Sequence, residues 1–245
     1  EAWEGFFMPN KTLTAPGNTV AKNILKNGNN YNTVHDATAG TNAGNADNKF
    51  TLNAKSGSNY FIRRGIIVYD FSQSPLPPGV KVIRAQLILN DVIEGAVQTG
   101  GDKIRVAWLS NPKTFGGMHA NDYNKARYAD NSYTSAQQLN NGADGAIINL
   151  DNRLLLDRLQ IAINRKTFLH LVVRNELDYQ DTQATGMNRV FFDRPTGDNN
   201  PMQIRIFYRI NNLARNPGGR GAGGVASSGF GGVDMFCGTN SGFGN

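Results

Sequence analysis

The chain is poor in cysteine and histidine and has no long apolar run. Its single thiol, Cys237, cannot close an internal disulfide, which excludes a disulfide-stapled secreted module. A free thiol and a bond to a partner chain both stay open. The three histidines are His35, His119 and His170, and none has a second His or Cys at metal-ligand spacing. No apolar stretch is long enough to cross a bilayer, and no signal peptide is visible. The first residue is Glu1 rather than Met, as in a processed or truncated product. Charged residues make up 18% of the chain and leave a net charge of +6, but the cations are scattered. The densest pairs, Arg63-Arg64 and Arg165-Lys166, sit in or beside apolar runs. No block of the nucleic-acid-binding kind appears, so no nucleic-acid partner is expected.

Catalytic signatures are also lacking. There is no G-x-S-x-G elbow, P-loop or dinucleotide fingerprint. Gly218-Gly219-Arg220-Gly221 is low-complexity sequence, not a phosphate loop following a strand. A glycosidase needs two carboxylates at a set separation. Among Asp70, Asp91, Glu94, Asp102, Glu176, Asp178 and Asp181, nothing selects a pair. The expectation is a protein that is not an enzyme and carries no cofactor. A structural calcium is compatible with Asp178 and Asp181, with Asn141-Gly142-Ala143-Asp144, or with Asp198-Asn199-Asn200, but no motif assigns its ligands.

What the chain does have is glycine, asparagine and aromatics: 28 Gly, 13 Phe and 8 Tyr. That composition fits short strands joined by tight turns and polar loops. Residues 1–59 are polar and favour turns and short edge strands. From Tyr60 to Phe71 the sequence is dense in β-branched and aromatic residues on both faces, which predicts a central strand. After the breaker Leu76-Pro77-Pro78-Gly79, Ile83, Ala85, Leu87 and Leu89 alternate with Arg84 and Gln86, the period of a half-buried strand. Further strands are expected at 104–109, 146–150, 168–174, 189–193 and 202–210. Between them, residues 151–164 carry Leu155, Leu159 and Ala162 at helical spacing, with Asp151 placed to cap one short helix. Many strands and no β-α alternation predict an all-β fold, an antiparallel β-sandwich of jelly-roll type with one short helix.

The order of segments resembles the DNRLRE-type family of carbohydrate-binding-module-like domains. The resemblance rests on Arg64 to Ser72, then Leu76-Pro77-Pro78-Gly79, then Val82 to Leu89. Later it rests on Ile163 to Asn175, Asp178, Arg189 to Phe192, and Asn200 to Tyr208. His35-Asp36-Ala37-Thr38 is similar to a segment of phage and environmental versions. The resemblance covers roughly residues 20–210 and consists of scaffold positions. It implies a non-enzymatic β-sandwich of virion, secreted or cell-surface proteins, often associated with polysaccharide, and fold alone does not fix function.

Three parts are expected: an extension at 1–19, a sandwich domain at 20–212 and a Gly-rich tail at 213–245. In the tail, Phe230, Phe236, Cys237 and Phe243 are candidate assembly contacts. In the long loop between the strands at 104–109 and 146–150, Asp122, Tyr123, Asn124, Arg127, Tyr128 and Tyr133 are candidate glycan contacts. The same tyrosines equally suit packing of the loop onto its domain. The functional expectation is a structural or adsorption component of a phage-like virion or surface filament. It would act with copies of itself or other subunits, outside the cell, and without a membrane span. The alternative is a carbohydrate-binding module of a secreted or surface protein.

Overall fold

The structure, a computed structural model, describes residues 10–14, 21–43, 49–73, 76, 79–89, 92–114, 118–139, 146–192 and 203–210. Thirteen strands are present among them. The first seven are β1 (Asn10–Thr14), β2 (Ala21–Gly28), β3 (Asn42–Ala43), β4 (Lys49–Ser56), β5 (Asn59–Asp70), β6 (Val80–Leu89) and β7 (Val92–Gly95). The rest are β8 (Lys103–Trp108), β9 (Gln137–Gln138), β10 (Ala146–Asn149), β11 (Phe168–Asn175), β12 (Met187–Phe192) and β13 (Gln203–Ile210). Helices are few and mostly short: α1 (Tyr31–His35), α2 (Arg153–Arg165) and α3 (Glu176–Tyr179). The chain is therefore mostly β, with more helical pieces than the one expected.

The strands form two antiparallel sheets. The smaller runs β1-β13-β6-β10, and the larger runs β7-β12-β4-β5-β11-β8-β9, with β2 on β5 and β3 on β2. One apolar cluster draws on both. β5 and β11 contribute Ile67, Tyr69, Leu169 and Leu171, while β6 and β13 contribute Ala85, Leu87, Ile204 and Ile206. Period-two alternation on each strand produces this, because successive side chains point to opposite faces. A second cluster lies on the other face of β5, around Ile62, Ile66 and Val68, and takes in Tyr31, Tyr123, Tyr128 and Tyr133 from α1 and the long loop.

The alternation slips within β6. Tyr208 pairs with Val82 and Phe207 with Arg84, so Ile83 has no opposite number. This β-bulge reverses the phase of the strand. Val80 and Val82 join the core before it, and Ala85, Leu87 and Leu89 after it. Ile83, expected to face inward with Ala85, is instead only half-buried. The Gln160 amide on α2 clasps the chain beside the bulge, accepting from the Val82 amide at 2.6 Å and donating to the Val80 carbonyl at 3.0 Å.

The long helix starts later than expected. Asn152, not Asp151, is its N-cap, accepting from the amides of Leu154 and Leu155 at 2.9 and 3.3 Å. Asp151 instead accepts from the Ser135 amide at 3.1 Å and from the Ser135 hydroxyl. Leu155, Leu159 and Ala162 are buried as expected. Residues 49–56 depart further from the sequence reading. Rather than an edge, β4 lies between β12 and β5. Its Asn53 is fully buried, donating to the Thr182 carbonyl at 3.0 Å. The tail residues Phe230, Phe236, Cys237 and Phe243 lie outside the described residues, as do most of 1–19 and all of 213–245.

Candidate functional site

The site begins with a change of partner along β5. One edge of β5 pairs with β2 from Tyr60 to Ile67. The other pairs with β4 through Arg63 and with β11 from Gly65 onward. Arg64 sits between the two, and its side chain is fully buried. A charge is removed from water only where it is paired and hydrogen-bonded.

The partner comes from α3. Asn175 ends β11 and caps the next turn, accepting from the Leu177 amide at 3.0 Å. That turn brings Asp178 to Arg64 and Glu176 to Arg105. Asp178 accepts from Arg64 Nε at 2.9 Å and Nη2 at 2.7 Å, and from Arg174 Nε at 2.7 Å. Arg174 and Arg105 stand opposite each other on β11 and β8. Arg105 meets Glu176 at 2.5 and 3.0 Å. Three arginines from three strands are thus held by two acids on one short helix.

The remaining guanidinium donors tie down main chain. Arg64 Nη1 donates to the Tyr123 carbonyl at 2.6 Å, and Nη2 to the His35 carbonyl at 3.0 Å. Arg174 donates to the Asp178 carbonyl at 2.6 Å and to the Tyr133 hydroxyl at 3.0 Å. The Arg64 guanidinium lies 4.2 Å from the Tyr123 ring centre, a cation–π contact. His35, the last residue of α1, is buried. Its Nε2 is 2.9 Å from the Asp178 carbonyl, and its Nδ1 is 2.8 and 3.1 Å from the carboxylates of Asp36 and Asp181.

The electrostatics follow from this geometry. Burial by itself would raise the Asp178 pKa. The guanidiniums of Arg174 and Arg64 outweigh it and hold the carboxyl well below the usual range. Burial pushes the Tyr128 and Tyr123 hydroxyls above their ordinary value. Asp178 is therefore an ion with both oxygens occupied, which is the opposite of a general base poised near neutral pH. Among the described residues, no group of three or more His, Cys, Asp or Glu is arranged to hold a metal ion. Both carboxylate oxygens of Asp178, the one candidate calcium ligand in this cluster with no exposure, are taken up by guanidiniums.

Of the six loop candidates, Asp122, Tyr123, Tyr128 and Tyr133 are buried, while Asn124 and Arg127 are half-buried. Tyr123, Tyr128 and Tyr133 are buried, so none presents a ring face to solvent for a sugar to stack on. The Tyr128 hydroxyl lies 2.8 Å from the carbonyls of both Asp122 and Tyr123. The Tyr123 hydroxyl donates to Val34 O at 2.9 Å. Asp122 is fully buried and accepts from the amides of Lys113 and His119 at 2.7 and 2.8 Å. Asn124 caps a short turn by accepting from the Ala126 amide at 2.9 Å, and Arg127 donates to the Asn111 carbonyl at 2.7 Å. These side chains fold the loop onto the larger sheet. Tyr179, which the sequence did not single out, is the exposed aromatic among the described residues. Its ring is flanked by Arg105 at 4.4 Å and Tyr133 at 4.7 Å.

The arginine–acid row itself escaped the sequence reading. An arginine inside the apolar run from Ile62 to Phe71 was the available signal, because such a residue demands a buried acid elsewhere. Comparison with models of known protein families finds no match, and comparison with curated proteins finds no relative. Among the described residues, no helix is long and apolar enough to cross a membrane.

Proposed function

We propose that this chain is a non-catalytic structural subunit of an extracellular assembly, of the virion-appendage or surface-filament kind. In this reading the two sheets form a β-sandwich of jelly-roll type, as the resemblance to DNRLRE-type domains implies, and the protein works by packing against neighbours. One observation carries it: the ionisable groups with the chemistry of a site, Arg64, Arg174, Asp178 and His35, are buried and bonded to one another and to main chain. Their arrangement locks the loop layer and α1 onto the larger sheet. It stiffens a scaffold, and both oxygens of Asp178 are taken up by guanidiniums.

The test is the mass of the full chain in solution by light scattering across a concentration series. A discrete multimer is expected. A monomer at every concentration overturns the reading in favour of the alternative, a carbohydrate-binding module. The exposed ring of Tyr179 supports that alternative, since exposed aromatic rings are what sugars stack on.

A further inference from the structure

Two strand edges are treated differently. An open edge presents unpaired N–H and C=O groups, a template for another chain, and folds usually blunt it. Beyond its pairing with β9, the β8 edge is closed by the loop that follows it. The Thr134 amide donates to the Val106 carbonyl at 2.8 Å, and the Thr134 hydroxyl accepts from the Val106 amide at 3.1 Å. The Ser132 hydroxyl accepts from the Trp108 amide at 2.9 Å, and the Ala129 amide donates to the Trp108 carbonyl at 3.0 Å.

The β10 edge of the smaller sheet is closed only in part. Among the strands, β10 pairs with β6 alone. The Leu150 amide donates to the Ala85 carbonyl at 3.0 Å. Main-chain bonds alternate along an antiparallel ladder, so Ile148 and Ala146 also bond toward β6, while Asn149 and Ile147 turn their main chain outward. Gln137 takes both outward groups of Asn149: its Nε2 donates to the Asn149 carbonyl at 2.8 Å, and its Oε1 accepts from the Asn149 amide at 2.7 Å. A side-chain amide thus stands where a partner strand's peptide would. Among the described residues, nothing takes the matching pair at Ile147. Its side chain is 43% exposed. Ala146–Asn149 also lacks the Lys or Pro that commonly guards an edge.

We propose that the β10 edge is a contact between two copies of this chain, paired antiparallel about a twofold axis at Ile147. Each Ile147 then donates its amide to the other's carbonyl, the hydrogen-bonded pair of an antiparallel ladder. A second copy is the occupant because the edge is its own complement. One residue offers both the donor and the acceptor, and the two exposed isoleucine side chains cover each other. In a protein of net charge +6, an uncharged strand meets an uncharged strand. Gln137 is a placeholder that limits how far the pairing runs. This inference rests on the structural reading above and names a surface through which it works.

The test is light scattering on the full chain across a concentration series, with amide exchange followed by NMR. The Ile147 amide should exchange slowly in the multimer and freely on dilution to monomer. Ile147→Pro removes that amide but keeps the bonds to β6, since proline is tolerated where an edge N–H faces outward. Loss of both bonds of the pair should weaken association roughly 10- to 100-fold. Gln137→Ala uncovers Asn149 and should strengthen association, while Ile147→Val keeps the amide and stays near wild type. A multimer whose Ile147 amide exchanges freely, or whose mass is unchanged by Ile147→Pro, would overturn this inference alone and leave the structural reading intact. Weaker association in Gln137→Ala would also overturn it. A monomer at every concentration would overturn both.

Discussion

Replacing Asp178 with Asn tests the buried cluster most sharply. The side chain keeps its shape but loses its charge, leaving Arg64 and Arg174 side by side with 0% and 4% exposure. Removing one partner of a buried ion pair costs about 3–5 kcal/mol, because the remaining charge is left uncompensated. For a protein of this size each kcal/mol lowers Tm by about 2–4 °C, so a fall of roughly 6–20 °C is expected by calorimetry. Arg64→Met in the same background removes one of the stranded charges. The double variant should then be less damaged than the sum of the singles by about 1–3 kcal/mol. The pH dependence has a definite sign. The folded-state pKa of Asp178 is depressed, so its contribution is complete above about pH 5 and is lost as pH falls below about 4. The gap between wild type and Asp178→Asn should therefore narrow in acid. A variant that melts with wild type at neutral pH, or a gap that widens in acid, would refute the reasoning.

Other positions give independent checks. Tyr128→Phe removes a hydroxyl from two buried carbonyls and should cost about 1–2 kcal/mol by denaturant titration, while Tyr128→Ala should cost about 3–5 kcal/mol. A Tyr128 that served only as a glycan contact on a loop rim would lose little stability on that truncation. Asn152→Ala should cost about 1 kcal/mol through loss of the helix cap, with a matching drop in Tm. Gly101→Ala should destabilise by about 1–3 kcal/mol on chemical unfolding, because a Cβ there overlaps the buried Asn188 side chain.

The strands were legible where hydrophobic period matched burial. Tyr60–Phe71, Phe168–Arg174 and the alternation of Ile204, Ile206 and Tyr208 all fall in strands within a residue or two of their predicted ends. Legibility failed where polar side chains replace apolar ones in the interior. Asn53 and Asn188 are both fully buried, and the Asn188 amide donates to the Asn53 carbonyl at 3.1 Å and to Gln98 at 2.9 Å. Such a pair reads as loop in a hydropathy pattern. The bulge at Ile83 is invisible for a different reason: it depends on the partner strand's register, 120 residues away. The arginine–acid row needs contacts between β5, β8, β11 and α3 that no local window contains. The inward turn of the tyrosines follows from it, since their hydroxyls and rings complete the shell around those charges.

The proposed reading, a subunit that packs against its neighbours, can be tested at residues 213–245, which carry the candidate assembly contacts Phe230, Phe236, Cys237 and Phe243. Light scattering on the full chain beside a chain ending at Asn212, each with a thermal melt, tests it most directly. A multimer that falls to monomer on truncation, while Tm stays within a few degrees, is the expected result. Equal masses for the two chains, or loss of folding in the shorter one, would contradict it.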